Sequence, residues 1–260
     1  MVLKVLATVI FLTVPDKATY IVFSIYTALA FISFIAMYYV GDLDEEGTWD
    51  LSCATISTNS IAAAKLAVTD LRLTFLLPFQ IAFGFASSFV PFYILGFVIA
   101  GSKSLGGTWV GLLSAVIVLT GALTAVPASW LANKAGKATV MTIGGLCMAY
   151  AGLAIFLQTD AELGTWAAIV PYLIIYGIGR GTYENINKAV VADYYSKHPD
   201  ASISAFAAIS FSNGFAGSIG YFVFSNLERL EMATIVLSSA LIATVCFLIS
   251  NHLHKSRSNQ

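Results

Sequence analysis

Three charged residues in the second half of the chain are spaced so that they could act together. Arg180, Glu184 and Lys188 follow one another at intervals of four, which places them on one face of an α-helix. Asn187 joins that face, and Asn185 points away from it. Because the signs alternate, Glu184 can pair with both cations. Such a face can bind a polar solute or gate its passage, or it can neutralise itself while it ties the helix to its neighbours.

The segment that carries these residues, 167–194, is otherwise apolar and long enough to cross a lipid bilayer. Trp166 precedes it and is expected at the outer membrane interface. With a rise of 1.5 Å per residue, Arg180 lies about 21 Å deeper and Lys188 about 33 Å deeper. Charge inside the hydrocarbon is costly and indicates function by default. Arg180 is the hardest to explain by snorkelling to the surface, so it is the leading candidate for a solute or partner contact.

Two further segments offer polar side chains to this face. Segment 203–226 carries small and polar residues around Asn213, a candidate hydrogen-bond partner for the charged face. Segment 73–99 contains Gln80 and two prolines, which suggest bends and freed carbonyls. Gln80 and Asn213 could both line a solute path. The alternative for each is a close-packed seam with an amide bonded to a neighbouring helix.

The composition identifies these segments as parts of a membrane protein. Of the 260 residues, 58% are hydrophobic and only 10% are charged, with a net charge of −1 and a mean hydropathy of +0.83. A soluble domain has about 25% charged residues. The composition excludes an ordinary soluble enzyme, a disordered chain and a nucleic-acid-binding protein, which needs a basic excess.

Cysteine and histidine show no ligand spacing, so we expect no catalytic residue, no metal site and no cofactor.

Seven stretches are long and apolar enough to span a bilayer. They are 19–41, 73–99, 109–131, 138–158, 167–194, 203–226 and 232–250. The predicted fold class is therefore an all-α polytopic membrane protein with about seven transmembrane helices. The apolar run 5–14 is too short to span, and we interpret it as the stub of an earlier helix or an interfacial piece, with a cleaved signal peptide as the alternative.

These spans divide the chain into four parts. Residues 1–41 hold the stub and one span, 42–72 form a central loop, 73–250 form a six-helix bundle, and 251–260 form a tail.

The distribution of Lys and Arg predicts the orientation of the chain in the membrane. One side carries Lys65, Arg72, Lys134, Lys137, Lys197, Lys255 and Arg257, whereas the other carries Lys17, Lys103 and Arg229. The central loop and the C-terminus are therefore expected in the cytoplasm. The acidic cluster in the central loop could recruit a cation or a basic partner, or be a solvated linker.

Several stretches together resemble a known family. The most specific is Gly-Ile-Gly-Arg-Gly-Thr-Tyr-Glu-Asn-Ile-Asn-Lys-Ala-Val-Val-Ala-Asp-Tyr-Tyr at 177–195, followed by Ala-Phe-Ala at 205–207 and Asn-Gly at 213–214. These residues resemble the UNC ninety-three-like family, the ion channel regulatory protein type, within the major facilitator superfamily. Residues 69–78 and 105–111 look like the start of that family's second half.

The resemblance covers about 69–250 and implies a specific architecture. The six spans within 73–250 would be helices seven to twelve, the C-terminal half of a major facilitator superfamily fold, and 19–41 would be helix six. The first five helices would be absent. The chain would then be a fragment of a twelve-helix protein, a degenerate half, or a subunit that pairs with another.

The stretch 130–137 is similar to the superfamily's gating-loop motif, Gly-x-x-x-Asp-Arg/Lys-x-Gly-Arg/Lys. Lys134, Gly136 and Lys137 match the motif, and Asn133 stands where the motif has its aspartate. The missing carboxylate argues against the charge lock that this loop forms in many transporters. The turn itself is expected to survive, because Gly136 can adopt a positive φ.

The resemblance implies two functions of different kinds. In the first, the chain takes part in transport of an unidentified small solute, with Arg180, Glu184, Asn187, Lys188, Asn213 and Gln80 as candidate contacts and the bundle rocking against a missing N-terminal six-helix half. In the second, the chain is a non-transporting regulator or trafficking partner of a channel or receptor, and the same face binds a partner helix. A purely structural subunit is a third possibility. The expected surroundings are the lipid bilayer and another membrane protein or half, with no nucleic acid.

Overall fold

The computed structural model of the protein describes residues 2–38 and 53–258, and their regular secondary structure is entirely helical. The acidic part of the predicted central loop lies outside these residues. The helices are α1 (Val2–Thr13), α2 (Ala18–Tyr38), α3 (Cys53–Thr69), α4 (Leu71–Thr74), α5 (Leu77–Phe89), α6 (Val110–Ala135), α7 (Lys137–Leu157), α8 (Asp160–Leu163), α9 (Trp166–Thr182), α10 (Lys188–Tyr194), α11 (Pro199–Phe224) and α12 (Arg229–Ser258). This confirms the all-α prediction.

Five helical runs in the described residues are long and apolar enough to cross a membrane. They are 18–36, 71–99, 107–135, 137–157 and 229–257. Each corresponds to one of the seven predicted spans. Of the remaining two predictions, 167–194 is helical throughout and 203–226 is helical up to Phe224. Neither is among the five runs that are long and apolar enough to cross a membrane, so both remain predicted spans.

The helices of the predicted six-helix bundle pack side by side. Helix α5 packs on α11 and α12, α7 packs on α12 and α9, and α6 packs on α9. Glycine allows the closest contacts: a methyl group on Gly181 of α9 would lie 2.7 Å from the carbonyl oxygen of Gly121 in α6. Lipid offers little hydrophobic drive for helix association, so such close backbone packing holds membrane helices together.

Two ends of the bundle can be recognised by their side chains. Arg72, Lys137 and Arg257 lie at one end, which we call the basic end, because all three contact residues near the end of α10 or the start of α4. At the opposite end, the tryptophan end, the rings of Trp109 and Trp166 meet edge to face with centroids 5.3 Å apart. The structure thus groups three of the seven cations that the sequence assigned to one side.

The described part of the predicted central loop is a helix. Helix α3 (Cys53–Thr69) packs on α11 and α4. Asp70 separates α3 from α4, and its side chain caps α4 by accepting a hydrogen bond from the backbone N–H of Arg72. Its alanine-rich second half explains why a helix forms where we expected a loop, since alanine has the highest helix propensity.

The N-terminal helices lie at the edge of the bundle. Helix α1, the predicted stub, packs against α6, where a methyl group on Gly111 would lie 2.6 Å from the carbonyl oxygen of Lys4. Helix α2 turns back along α1, and few of its described side chains are buried.

The two prolines of the first bundle helix act differently. Pro78 lies in the first turn of α5 and causes no bend, because no backbone N–H is needed there. Pro91 lies in a π-helical continuation of α5, Val90–Ile99. Proline cannot donate the usual hydrogen bond, and a wider turn accommodates its ring. Of the two predicted bends, only the second coincides with an irregular helix.

Candidate functional site

The leading candidate, Arg180, lies in the last turn of α9 and forms an ion pair. Its Nε donates to Glu184 Oε1 at 2.8 Å, and the two side chains are 35% and 45% exposed. Lys188, one turn further on, is exposed, and no described ion pair includes it. The predicted plus-minus-plus face therefore forms only its first pair.

Asn187 lies away from this ion pair. The sequence placed it on the face of Arg180, but its side chain is fully buried in the bundle. The cause is a π-helical segment, Tyr183–Asn187, between α9 and α10. A π-helical turn holds more residues than an α-helical turn, so it rotates the side chains that follow it. Asn185 is exposed, and its Nδ2 donates to the carbonyl oxygen of Gly181 at 2.8 Å.

The buried amide of Asn187 pairs with Gln80 of α5. Gln80 Nε2 donates to Asn187 Oδ1 at 3.1 Å, and Asn187 Nδ2 donates to Gln80 Oε1 at 3.2 Å. Tyr183 adds a third bond, from its hydroxyl to Gln80 Oε1 at 2.6 Å, and its ring stacks on Phe83 with centroids 3.5 Å apart. Gln80 is thus bonded to a neighbouring helix, as one of its two interpretations predicted. Tyr183 was missed, although its position beside Glu184 in a polar stretch was a signal.

Asn213 contributes to packing through its backbone. A methyl group on Gly84 of α5 would lie 2.6 Å from the Asn213 carbonyl oxygen, so α5 and α11 touch closely there. Its side chain is half-buried and has no hydrogen-bond partner in the described ranges. The predicted bond between Asn213 and the 180–188 face is therefore not formed.

The predicted gating loop is the tight turn between α6 and α7. Gly136 has φ +87°, which confirms the predicted positive φ. Lys137 Nζ contacts Asp193 Oδ2 of α10 at 2.5 Å, and Lys134 lies over the ring of Trp130 at 4.2 Å. Asn133 is exposed. A charge contact forms here without the motif's carboxylate, because Asp193 supplies one from another helix.

A second network at the basic end was not predicted. Asp70, at the start of α4, binds Arg72 Nη2 at 2.7 Å and accepts a hydrogen bond from the Tyr195 hydroxyl at 2.9 Å. Arg257 of α12 approaches Asp70 Oδ1 at 3.6 Å. Burial tends to raise the pKa of the Asp70 carboxyl, but the bonds from Arg72 and Tyr195 outweigh it and hold this pKa below its ordinary value. The network ties α4, α10 and α12 together.

At the tryptophan end, Arg229 at the start of α12 binds the loop after α7. Its Nη2 donates to the carbonyl oxygens of Ile155, at 2.6 Å, and Gln158, and its Nε lies 3.2 Å from Asp160 Oδ1. This arrangement places a cation at the C-terminal carbonyls of α7, where the helix dipole favours it. Within the described ranges, no group of three His, Cys, Asp or Glu side chains is placed to hold a metal.

Comparison with known families decides the class. The sequence profile of the Major Facilitator Superfamily matches residues 5–221. The chain belongs to the Major Facilitator Superfamily. The matched region runs from α1 into α11 and so contains the amide pair, the Arg180–Glu184 ion pair and the gating loop. Neither a curated protein nor a solved structure shows significant similarity to the chain.

Membership of the Major Facilitator Superfamily makes the chain a multi-pass integral membrane protein of a family of transporters. The five long apolar helices agree with embedding in a lipid bilayer. The match stops at the superfamily and names no narrower family, solute or partner.

Proposed function

We propose that the protein moves a small solute across the membrane along the face that holds Arg180 and Glu184. The observation that carries the proposal is the ion pair itself: two charged side chains 35% and 45% exposed, part-way along a helix that is otherwise apolar. Charges in contact with acyl chains are costly, whereas charges that line a water-filled path are common in transporters. Superfamily transporters bind solute between two six-helix halves.

Each element of the site has a place in this proposal. Arg180 and Glu184 contact the solute, and Lys188 is exposed nearer the basic end. The Gln80–Asn187 pair holds α5 against the π-helical turn, so that the ion pair keeps its position while the bundle rocks. Lys137 and Asp193 close the basic end when α7 and α10 come together.

We also assign the protein to the UNC ninety-three-like family, with its C-terminus in the cytoplasm. The support for the family is the sequence of 177–195, which contains both the ion pair and the π-helical turn. The support for the orientation is the basic end, since cytoplasmic ends of membrane helices are enriched in Lys and Arg. Glycosylation sites inserted after Lys103 and after Lys197 test it, and modification only at the former is expected.

One observation favours the alternative function, a non-transporting regulator or trafficking partner. Gln80 and Asn187 bind each other and are fully buried. Neither side chain is exposed to a solute, which leaves fewer polar groups on the exposed face than the sequence predicted. A partner helix with a carboxylate could then bind Arg180 instead.

Uptake into vesicles distinguishes the two functions. The purified full chain is reconstituted, and a panel of amino acids, sugars, organic anions and organic cations is offered under an imposed proton or sodium gradient. Transport predicts that at least one solute accumulates and that Arg180→Gln lowers its uptake about tenfold or more. Lys103→Gln, a matched loss of one exposed cation at the tryptophan end, is expected to leave uptake unchanged.

The opposite result would replace transport by the regulator function. If a folded protein moves no solute under either gradient, and Arg180→Gln abolishes co-purification of a membrane partner, the regulator function replaces transport. Folding of each variant is checked by its unfolding temperature and its gel-filtration profile.

A further inference from the structure

A second half-buried cation, Lys4, lies on α1, which shares the neighbour α6 with the helix of Arg180. Lys4 lies where α1 contacts α6 at Gly111, and this contact leaves its side chain half-buried. Helix α6 also contacts α9, where Gly121 meets Gly181 beside Arg180. The same helix thus holds both cation-bearing helices, one on each side.

The two cations repel each other. The guanidinium of Arg180 acts electrostatically on the Lys4 ammonium, and such repulsion is stronger in a bundle of low dielectric constant than in water. None of the ion pairs in the described ranges includes Lys4. Lys4 is therefore half-buried and close to a like charge, without a carboxylate partner in the part of the chain that the structure describes.

One carboxylate, Glu184, is present for these two cations. Asp70 and Asp193 are bound to cations at the basic end, and Asp160 is bound to Arg229 at the tryptophan end. The remaining carboxylates with described side chains also lie in turns or first helical turns: Asp16, Glu162, Glu228 and Glu231. Glu184 is bound to Arg180, so no described carboxylate compensates the charge of Lys4.

Lys4 also lines a cavity between the α1–α2 hairpin, the π-helical continuation of α5 and the start of α6. Its volume is about 790 Å³, within the range of about 300–1,000 Å³ that small-molecule sites occupy. The walls are mostly apolar and include Phe11, Tyr26, Leu95 and Val110. A cavity with apolar walls and one cation fits a ligand with an apolar body and a negative charge.

We infer that the transported solute is an organic anion with an apolar body, whose charge is bound in this cavity by the Lys4 ammonium. The inference rests on the proposed function, because it assigns a substrate class to that transport. A partly buried charge without a partner is unfavourable. An anion supplies the missing partner for Lys4 and reduces the repulsion between the two cations.

Binding is measured on the purified full chain by titration calorimetry, independently of transport. The probes share one ring: toluenesulfonate is a permanent anion, toluenesulfonamide is neutral, and benzyltrimethylammonium is a permanent cation. We expect the anion to bind at least tenfold more tightly than either other probe. Lys4→Gln is expected to raise its Kd about tenfold or more, while Lys17→Gln, which removes the same charge from the turn between α1 and α2, leaves the Kd unchanged.

Three results would overturn the anion site in a protein whose unfolding temperature is normal. They are failure of toluenesulfonate to bind, equal or tighter binding of the cation or the neutral probe, and an anion Kd that Lys4→Gln does not change. Anion binding without uptake into vesicles would instead refute transport and leave the anion site standing. Uptake of a cation or neutral solute alone would preserve transport and refute the anion site.

Discussion

Gln80 and Asn187 exchange two hydrogen bonds between their amides, at 3.1 and 3.2 Å, with no exposed surface on either side chain. They join α5 to the π-helical turn that carries Glu184. Each amide donates one N–H to the other and accepts one in return, so the pair joins two helices inside the bundle without water, as polar side chains do in membrane proteins.

The amide pair predicts an asymmetric response to mutation. Asn187→Leu leaves Gln80 with an unmatched buried donor, so we expect it to lower the free energy of unfolding by about 1–3 kcal/mol. The double variant Gln80→Leu with Asn187→Leu is expected to recover part of this loss, because both partners are then apolar. Thermal unfolding in detergent gives the values. A double variant that loses the full sum of the two single losses would contradict the pairing.

The contact between Lys137 and Asp193 is expected to matter for movement more than for stability. The side chains are 34% and 55% exposed, and exposed ion pairs contribute about 0–1 kcal/mol. Lys137→Asp should therefore change the unfolding temperature little and alter the uptake rate, and adding Asp193→Lys should restore that rate. Lys134→Ala, which loses only the contact with Trp130, is the control. A rate that the charge swap does not restore would refute the gating role.

The Asp70 network predicts a dependence of stability on pH. The folded state holds the pKa of Asp70 below its ordinary value. The stabilisation is therefore complete above the unfolded-state pKa of about 4 and is lost as the pH falls through the lower folded-state pKa. Unfolding temperatures measured from pH 7 to pH 3 should fall below about pH 4. Asp70→Asn should be less stable at pH 7 and decline less on acidification; a parallel decline would exclude Asp70 as the cause.

Helix packing beside Arg180 is testable with a single methyl group. Gly181→Ala would place its Cβ 2.7 Å from the Gly121 carbonyl oxygen, and overpacking of this kind costs about 1–3 kcal/mol. Gly214→Ala is the matched control, since a Cβ there has no atom within 4 Å and alanine favours the helix by about 1 kcal/mol. The unfolding temperature should fall for the first and be unchanged or rise for the second. Equal effects would contradict the close contact of α6 and α9.

The sequence predicted the helices better than the faces they present. The apolar runs were sufficient to locate five of the seven predicted spans, because crossing a membrane requires a length and hydrophobicity that the sequence reveals directly. The face of Asn187 was wrong because an ideal periodicity cannot anticipate the π-helical turn at Tyr183–Asn187. Neither could it reveal that Asp193, distant in sequence, supplies the carboxylate for Lys137.

Contacts between distant segments explain the rest of the difference. Gln80 was recognised as an amide that a neighbouring helix could bind, but its partner was not, since the two residues are 107 positions apart. The Asp70 network brings together residues 125 positions apart through Tyr195. A single sequence gives no measure of such proximity.

Helix α4, which leads into the first bundle helix α5, is bound to the last helix, α12, at the basic end. The Ser250 hydroxyl donates to the Arg72 carbonyl oxygen at 2.6 Å, and Arg257 reaches Asp70. A displacement of α3 or of the C-terminal tail therefore acts on the same contacts between α4 and α12. A signal applied to either segment would reach both α5 and α12 without crossing the interior of the bundle.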